Sequence, residues 1–238
     1  MSENTENAEE EPDKSYDIRL KGPFTLQVVA PSRSGKTTWI FTLLEYANEL
    51  IDPKPDIIYF CYSEKQKDFE KFPHVNFIEG FDPELVSKKN LEGKGHVVII
   101  LDDLVDSLLK SDILGPLWTR ISHHRFVSAI LTQQNYFPVG LKSSTDINRN
   151  SCYKCIFKNN SEALQTVLLG RSLFPKKSKF WNEVITDVFS KPYNYLLIDN
   201  RNDTPEEIRL RTGIFPHEQT VCYAPKETSL LYSKNNEN

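Results

Sequence analysis

An α/β fold is the class the sequence predicts, with a mainly parallel central sheet and helices on both faces. Three observations carry this. Short apolar runs recur along the chain with helix-like stretches between them, the pattern of strands joined by crossover helices. The run "VVAPSRSGKTTWIF" (28–41) passes from a strand through a polar, Gly-containing turn into a helix. A second apolar run, "VVIILDD" (97–103), ends in two adjacent acids.

The elements follow in order. "FTLQVV" (24–29) reads as a strand. "KTTWIFTLLEYANELI" (36–51) puts Ile40, Leu43, Leu44 and Ala47 on one face, so it reads as a single helix. "DIIYFCYS" (56–63) reads as a buried strand and "VNFIEG" (75–80) as a shorter one. "GHVVIILDDL" (95–104) is long and apolar, and "SAILTQQN" (128–135) is a strand ending in amides. "YKCIFKN" (153–159) and "YNYLLID" (193–199) complete the strands, and helices are expected over 161–173 and 177–189.

The turn fits GxxxxGK[ST], with Ala30 where the first glycine usually stands. The phosphate-binding stretch is therefore Ala30, Pro31, Ser32, Arg33, Ser34, Gly35, Lys36, Thr37 and Thr38. Backbone N–H groups of residues 33–37 are expected to point at the phosphates of ATP. Gly35 lets the backbone come close. Lys36 reaches the β- and γ-oxygens, and the Thr37 hydroxyl ligates Mg²⁺. The strand before and the helix after supply the context such a loop needs. The class is thus a P-loop NTPase of the ASCE, RecA-like kind.

Asp102 and Asp103 close a buried strand, and ligands of open α/β sheets bind beyond that end. Asp102 is the expected Mg²⁺ partner. Asp103 is the expected base toward the attacking water, since metal and water need separate carboxylates. A helix N-cap is the structural alternative for Asp103. If "LTQQN" lies between the P-loop strand and the acidic strand, Gln133 or Gln134 faces the γ-phosphate. The alternative there is a plain polar strand exit. A ring ATPase also needs an arginine from a neighbour. Candidates are Arg120, Arg125, Arg149 and Arg171.

Composition bounds the rest. With 39% hydrophobic and 26% charged residues, the 238-residue chain has the make-up of a soluble globular protein. No apolar run approaches the roughly 20 residues that span a bilayer, so no membrane partner is expected. "MSENTENAEEEPDKSYD" is acidic and lacks a signal-peptide core, which points to an intracellular chain. Residues 1–20 read as a disordered acidic arm, 21–225 as a single P-loop ATPase domain and 226–238 as a flexible tail. The net charge of −4 argues against a wholly basic nucleic-acid binder, but not against a ring that grips DNA with a few pore residues. The four cysteines are expected to be reduced, and the lone Cys152/Cys155 pair lacks the further ligands of a zinc site. Adjacent His123 and His124 point apart and have no third ligand nearby.

Taken together, "APSRSGKT", "VIILDDL", "HHRFVSAILTQQNYFP", "INRNSCYKCIFKN", "GRSLFP" and "YNYLLIDNRNDTPEEIRLRTGIFP" resemble the poxvirus-type DNA-packaging ATPases of the FtsK/HerA group. Such proteins are encoded by large DNA viruses, virophages and Maverick/Polinton-like elements. The resemblance runs from about Phe24 to Phe215. It implies an ATP-driven motor that moves double-stranded DNA into a capsid as a homo-oligomeric ring docked on capsid vertex proteins. It implies that Lys36 and Thr37 hold phosphate and Mg²⁺, that Asp102 binds Mg²⁺ and that Asp103 is the catalytic acid. It selects Gln134 over Gln133 as the sensor. Relatives carry an arginine where this chain has Thr145. Arg149, four residues on, and Arg171 of "GRSLFP" are then the candidates for the trans-acting role. A hydrolytically weak P-loop scaffold and a small-molecule kinase are the rival functions.

Overall fold

The computed structural model describes residues 15–108, 112–136 and 143–225. The first 14 residues and the tail 226–238, both read as flexible ends, lie outside the described residues.

Eleven strands are present among them: β1 Leu20–Lys21, β2 Thr25–Val29, β3 Ile51–Asp52, β4 Ile57–Tyr62, β5 Val75–Glu79, β6 Val97–Asp102, β7 Val127–Gln133, β8 Tyr153–Phe157, β9 Tyr195–Asp199, β10 Leu210–Thr212 and β11 Val221–Tyr223. Nine form one sheet in the order β11-β10-β9-β8-β2-β7-β6-β4-β5. From β5 to β8 every neighbour is parallel. The long helices are α1 Lys36–Glu45, α2 Ser144–Asn150, α3 Ala163–Leu173 and α4 Ser178–Val188. The β2 strand lies between β7 and β8, so its C-terminal end opens at the centre of the sheet.

Strand alternation explains the layers. On β2, Leu26 and Val28 face α1, packing with its Ile40 and Leu43. Each such fully buried aliphatic side chain contributes roughly 1.5–3 kcal/mol. Val29 points to the other face and packs with Trp181, Val184 and Val188 of α4. Both faces of the sheet are covered, so β2, β6, β7, β8 and β9 are buried at every residue, and β6 reads as a continuous apolar run rather than an alternating one.

Three departures from the sequence reading stand out. The helix expected over 36–51 breaks at Tyr46, resumes as Ala47–Leu50 and ends as Ile51–Asp52, which pairs in parallel with β1. Leu20 is thus a core residue, 1% exposed, and the Ile18 carbonyl accepts from Arg211 at 3.3 Å, so part of the span 1–20 packs against the domain. The sheet also continues past its parallel part, with β9, β10 and β11 each antiparallel to its predecessor. Direction changes at β9, where two helices of 11 residues each, α3 and α4, intervene between β8 and β9. Gly170 makes the helix pair close, since a Cβ there falls 2.2 Å from the Trp181 ring.

Candidate active site

The phosphate turn is built by backbone conformation. Arg33 (φ 64) and Gly35 (φ 96) are both left-handed, so the chain curls sharply between β2 and α1. The Ser34 hydroxyl donates to the Pro31 carbonyl at 2.6 Å and braces the curl. Ala30 is fully buried beneath it, its N–H donating to the Gln133 carbonyl at 3.0 Å. A Cβ at position 30 fits here, which explains why alanine replaces the usual glycine. The N-terminus of α1 carries no side-chain cap and no acid in its first turn. Its unpaired N–H groups and positive dipole end face the cleft, the arrangement that binds phosphate.

The cleft above this turn has a volume of about 740 Å³. Pro31, Ser32, Arg33, Gly35, Lys36, Thr37 and Thr38 line it, together with Asp103 and Gln134. Residues from the ends of β2, β6 and β7 therefore meet in one place. Lys36 is 7% exposed, and its ammonium forms an ion pair with the half-exposed Asp103 carboxylate. Asp103 is itself left-handed, at φ 51. That twist turns its side chain toward Lys36. Asp102 sits behind it, 2% exposed, its Oδ1 accepting from the Thr132 hydroxyl at 2.7 Å. Burial holds the Asp102 carboxyl above the usual carboxylate range, against the opposing pull of the Thr132 hydrogen bond. Thr132 in turn accepts from the Asp103 N–H at 3.0 Å, locking the two acids to β7.

Of the two amides ending β7, Gln133 is buried and its Nε2 donates to the Tyr136 carbonyl at 3.3 Å, while Gln134 is exposed and lines the cleft. The arginines lie elsewhere. Arg149 lines a separate cavity beside α2, and Arg171 is exposed on α3, outside the residues that line the cleft. Arg125 donates to the Val86 carbonyl and Arg120 is exposed on another helix. Within one chain, Arg33 is the cleft's arginine among the described residues.

Two features escape a reading of the sequence. Thr132 is one, although strand alternation puts it on the same face as Ile130, beside Asp102. The other is an aromatic wall made of Trp39, Phe157, Tyr193, Tyr195 and Phe215, with His217 and Glu218 at its edge. Tyr193 is left-handed (φ 60), 72% exposed and 3.6 Å from where a Gly35 Cβ would stand. The Tyr195 hydroxyl donates to Glu218 at 2.7 Å and accepts from the Ile214 N–H at 2.8 Å. These groups come from segments far apart in the chain, and no spacing rule links them.

The cysteines among the described residues are all free thiols, and no cluster of three metal-ligating side chains occurs there. No helix among them is long and apolar enough to cross a membrane.

The model of the poxvirus A32 protein family matches residues 53–233, well over half of the chain. The chain belongs to the poxvirus A32 protein family. That family is one of viral genome-packaging ATPases. The family match begins downstream of the phosphate turn, which is identified by its own motif and geometry. Among solved structures, EccC (ATPases 2 and 3) from Thermomonospora curvata, in complex with a signal sequence peptide, is similar at 13% identity and a TM-score of 0.45. That similarity covers 84% of this chain and 37% of the EccC chain. The N-terminal domain of zonular occludens toxin from Neisseria meningitidis is similar at 12% identity, with a TM-score of 0.37, over 62% of this chain and 81% of that one. No curated protein matches. This A32-family chain thus spans a little over a third of EccC, and its α/β class follows from its own sheet.

Proposed function

We propose that this chain works as an ATP-driven motor that moves double-stranded DNA into a capsid, with copies arranged in a ring on capsid vertex proteins inside the host cell. The observation that carries the chemistry is the convergence of Lys36, Asp103 and Gln134 on one cleft over the uncapped N-terminus of α1. The donor set fits ATP with Mg²⁺. The turn offers backbone N–H groups and an ammonium for the phosphates, and Thr37 offers a hydroxyl for the ion, with the Asp102 carboxylate buried just behind the residues that line the cleft. An Mg²⁺ held there would supply positive charge toward the phosphates.

The chain's own residues do the rest. Lys36 leaves Asp103 for the incoming triphosphate, and the freed carboxylate accepts a proton from the attacking water. The water oxygen bonds to the γ-phosphorus as the bond to the β–γ bridging oxygen breaks, giving ADP and phosphate. Gln134 orients that water and registers the γ-phosphate. Arg149 or Arg171 supplies a positive charge across a subunit boundary, which is consistent with neither lining the cleft of its own chain. A ring also lets hydrolysis alter an interface between subunits and so change the grip on DNA. Thr145, where relatives carry an arginine, is what favours the hydrolytically weak scaffold as the second reading, and turnover is the measurement that decides between the two.

The purified chain is expected to hydrolyse ATP faster when double-stranded DNA is present. Lys36→Ala and Asp103→Asn should each lower turnover by about 10²–10³-fold, with Asp103→Asn still binding ATP. Turnover that survives Asp103→Asn unchanged would sink the motor reading. Turnover that needs a small acceptor and phosphorylates it would favour a kinase.

A further inference from the structure

We propose that a cavity on the far face of the sheet, between α2 and α3, is a second anion site that takes a phosphate group. It has a volume of about 580 Å³ and lies apart from the P-loop cleft. Its central group is Lys154 on β8, whose side chain shares a face with Gln27 of β2 and is 6% exposed. The ammonium donates to the Gln27 Oε1 and, at 3.2 Å, to the Asn148 Oδ1. Among the described residues no carboxylate pairs with it, and burial alone pushes its pKa down to about 8. Buried cations are normally matched by an anion. Here neutral amides stand in that place, and the ammonium borders an open cavity.

The other walls have the same bias. Arg149 is exposed at the rim and has no ion pair among the described residues. Arg209 lines the cavity too, with one guanidinium nitrogen bonded to Glu206 at 3.1 Å and the group resting 5.1 Å from the Phe174 ring centre. Ser172 adds a hydroxyl. Among the described residues no acid lines the cavity. Asn200 contributes a buried Oδ1 that has no hydrogen-bond partner there. A hydrogen phosphate satisfies this whole set. Its charged oxygens accept from Lys154, Arg149, Arg209 and Ser172, and its P–OH donates to Asn200. A phosphodiester lacks that last donor, and so does a phosphate monoester once it is dianionic above about pH 6, so the site favours free hydrogen phosphate over a nucleic-acid backbone.

The test uses the full chain with its P-loop saturated by ADP and Mg²⁺. Inorganic phosphate, titrated against chloride at equal ionic strength, should raise the melting temperature and give a calorimetric binding isotherm. Lys154→Met should weaken that binding by about tenfold or more, and Ser172→Ala, which removes one hydroxyl donor, by about threefold or more. Ser172 is exposed and takes no part in the nucleotide cleft, so its variant keeps the test open if Lys154→Met does not fold. Equal phosphate binding in Ser172→Ala and wild type, or none in wild type, overturns the proposal. A duplex that competes with phosphate overturns the preference for the free anion and assigns the site to backbone phosphates, and a duplex that does not compete supports it. If ADP itself fails to stabilise the chain, the nucleotide reading falls, and the comparison of variants with wild type in phosphate still decides this one.

Discussion

Lys36 and Lys154 are almost equally buried, at 7% and 6% exposure, yet they are held in opposite ways. Lys36 lies at the front, at the mouth of α1, paired with the carboxylate of Asp103. Lys154 lies on the opposite face of β2's neighbour, held by two amide oxygens. A carboxylate neutralises an ammonium in the absence of ligand and must be exchanged when phosphate arrives. Amides leave the charge uncompensated, so the buried group sheds its proton more readily. The first arrangement is poised for a ligand that comes and goes with each turnover. The second rewards permanent or regulatory occupancy by an anion.

The sharpest way to break this comparison is to turn a carboxylate-held cation into an amide-held one where the proton cannot be shed. Arg211 is fully buried and its guanidinium contacts the Asp199 carboxylate, itself fully buried, at 3.4 Å. Asp199 also pairs with Arg201 at 3.0 Å. Asp199→Asn leaves Arg211 in the position of Lys154, but arginine stays protonated. The expected cost is about 3–5 kcal/mol of unfolding free energy, measured by denaturant titration. A loss well below about 1 kcal/mol, the worth of an ordinary hydrogen bond, would show that the Ile208 and Ile18 carbonyls, which also accept from Arg211, suffice to hold it.

Arg211 also shows how far the sequence could be read. The parallel half of the sheet was legible because strands buried on both faces are long apolar runs, and the motif residues fall at their ends. The condition on which Gln134 faces the cleft, β7 lying between β2 and β6, is met. Past β9, which reads as a strand, the antiparallel part was hidden. Its β10 and β11 are three residues each, and β10 contains the charged Arg211. A three-residue strand carries too little periodicity to separate from loop. "RLRTGIFP" stands out as a block, but nothing local says that its middle arginine is a core residue satisfied from residue 199. The site divides in the same way. Lys36, Asp103 and Gln134 were legible from loop and strand ends, while Thr132 and the aromatic wall depend on register and on contacts between segments far apart in the chain. Lys154 lies inside a motif, yet its burial without an acid is visible only in three dimensions.

The second prediction sharpens the pair directly. With its pKa at about 8 in the fold against the usual 10.5, Lys154 binds fewer protons folded than unfolded between those values. Stability therefore rises with pH across that window, and the cost of burying the charge is fully present below about pH 8. Relative to Lys154→Met, the wild type should gain about 3 kcal/mol between about pH 7 and pH 10.5, since a tenfold change in proton affinity corresponds to about 1.4 kcal/mol. Paired denaturation curves measure the gap and cancel the other titrating groups. A gap that stays flat with pH would mean that the amides already compensate the charge, and the contrast with Lys36 would vanish.

The smallest expected effect concerns the acid that mirrors Lys154. Asp102 is a buried carboxylate whose Oδ1 accepts from one neutral donor, the Thr132 hydroxyl. Thr132→Val keeps the shape of β7 but removes that donor and the acceptor of the Asp103 N–H. Burial already raises the Asp102 pKa, and losing the hydrogen bond that opposes the rise moves it further in the same direction. A carboxyl that is protonated more readily holds a divalent ion less well. The Mg²⁺ concentration for half-maximal turnover should rise by about tenfold, the usual range for a lost supporting contact behind a metal ligand. The acid limb of the pH–rate profile should shift upward as well, which a general loosening of the strand would not produce. An unchanged Mg²⁺ requirement with an unchanged acid limb would remove Asp102 from the metal site and leave Asp103 as the carboxylate that matters there.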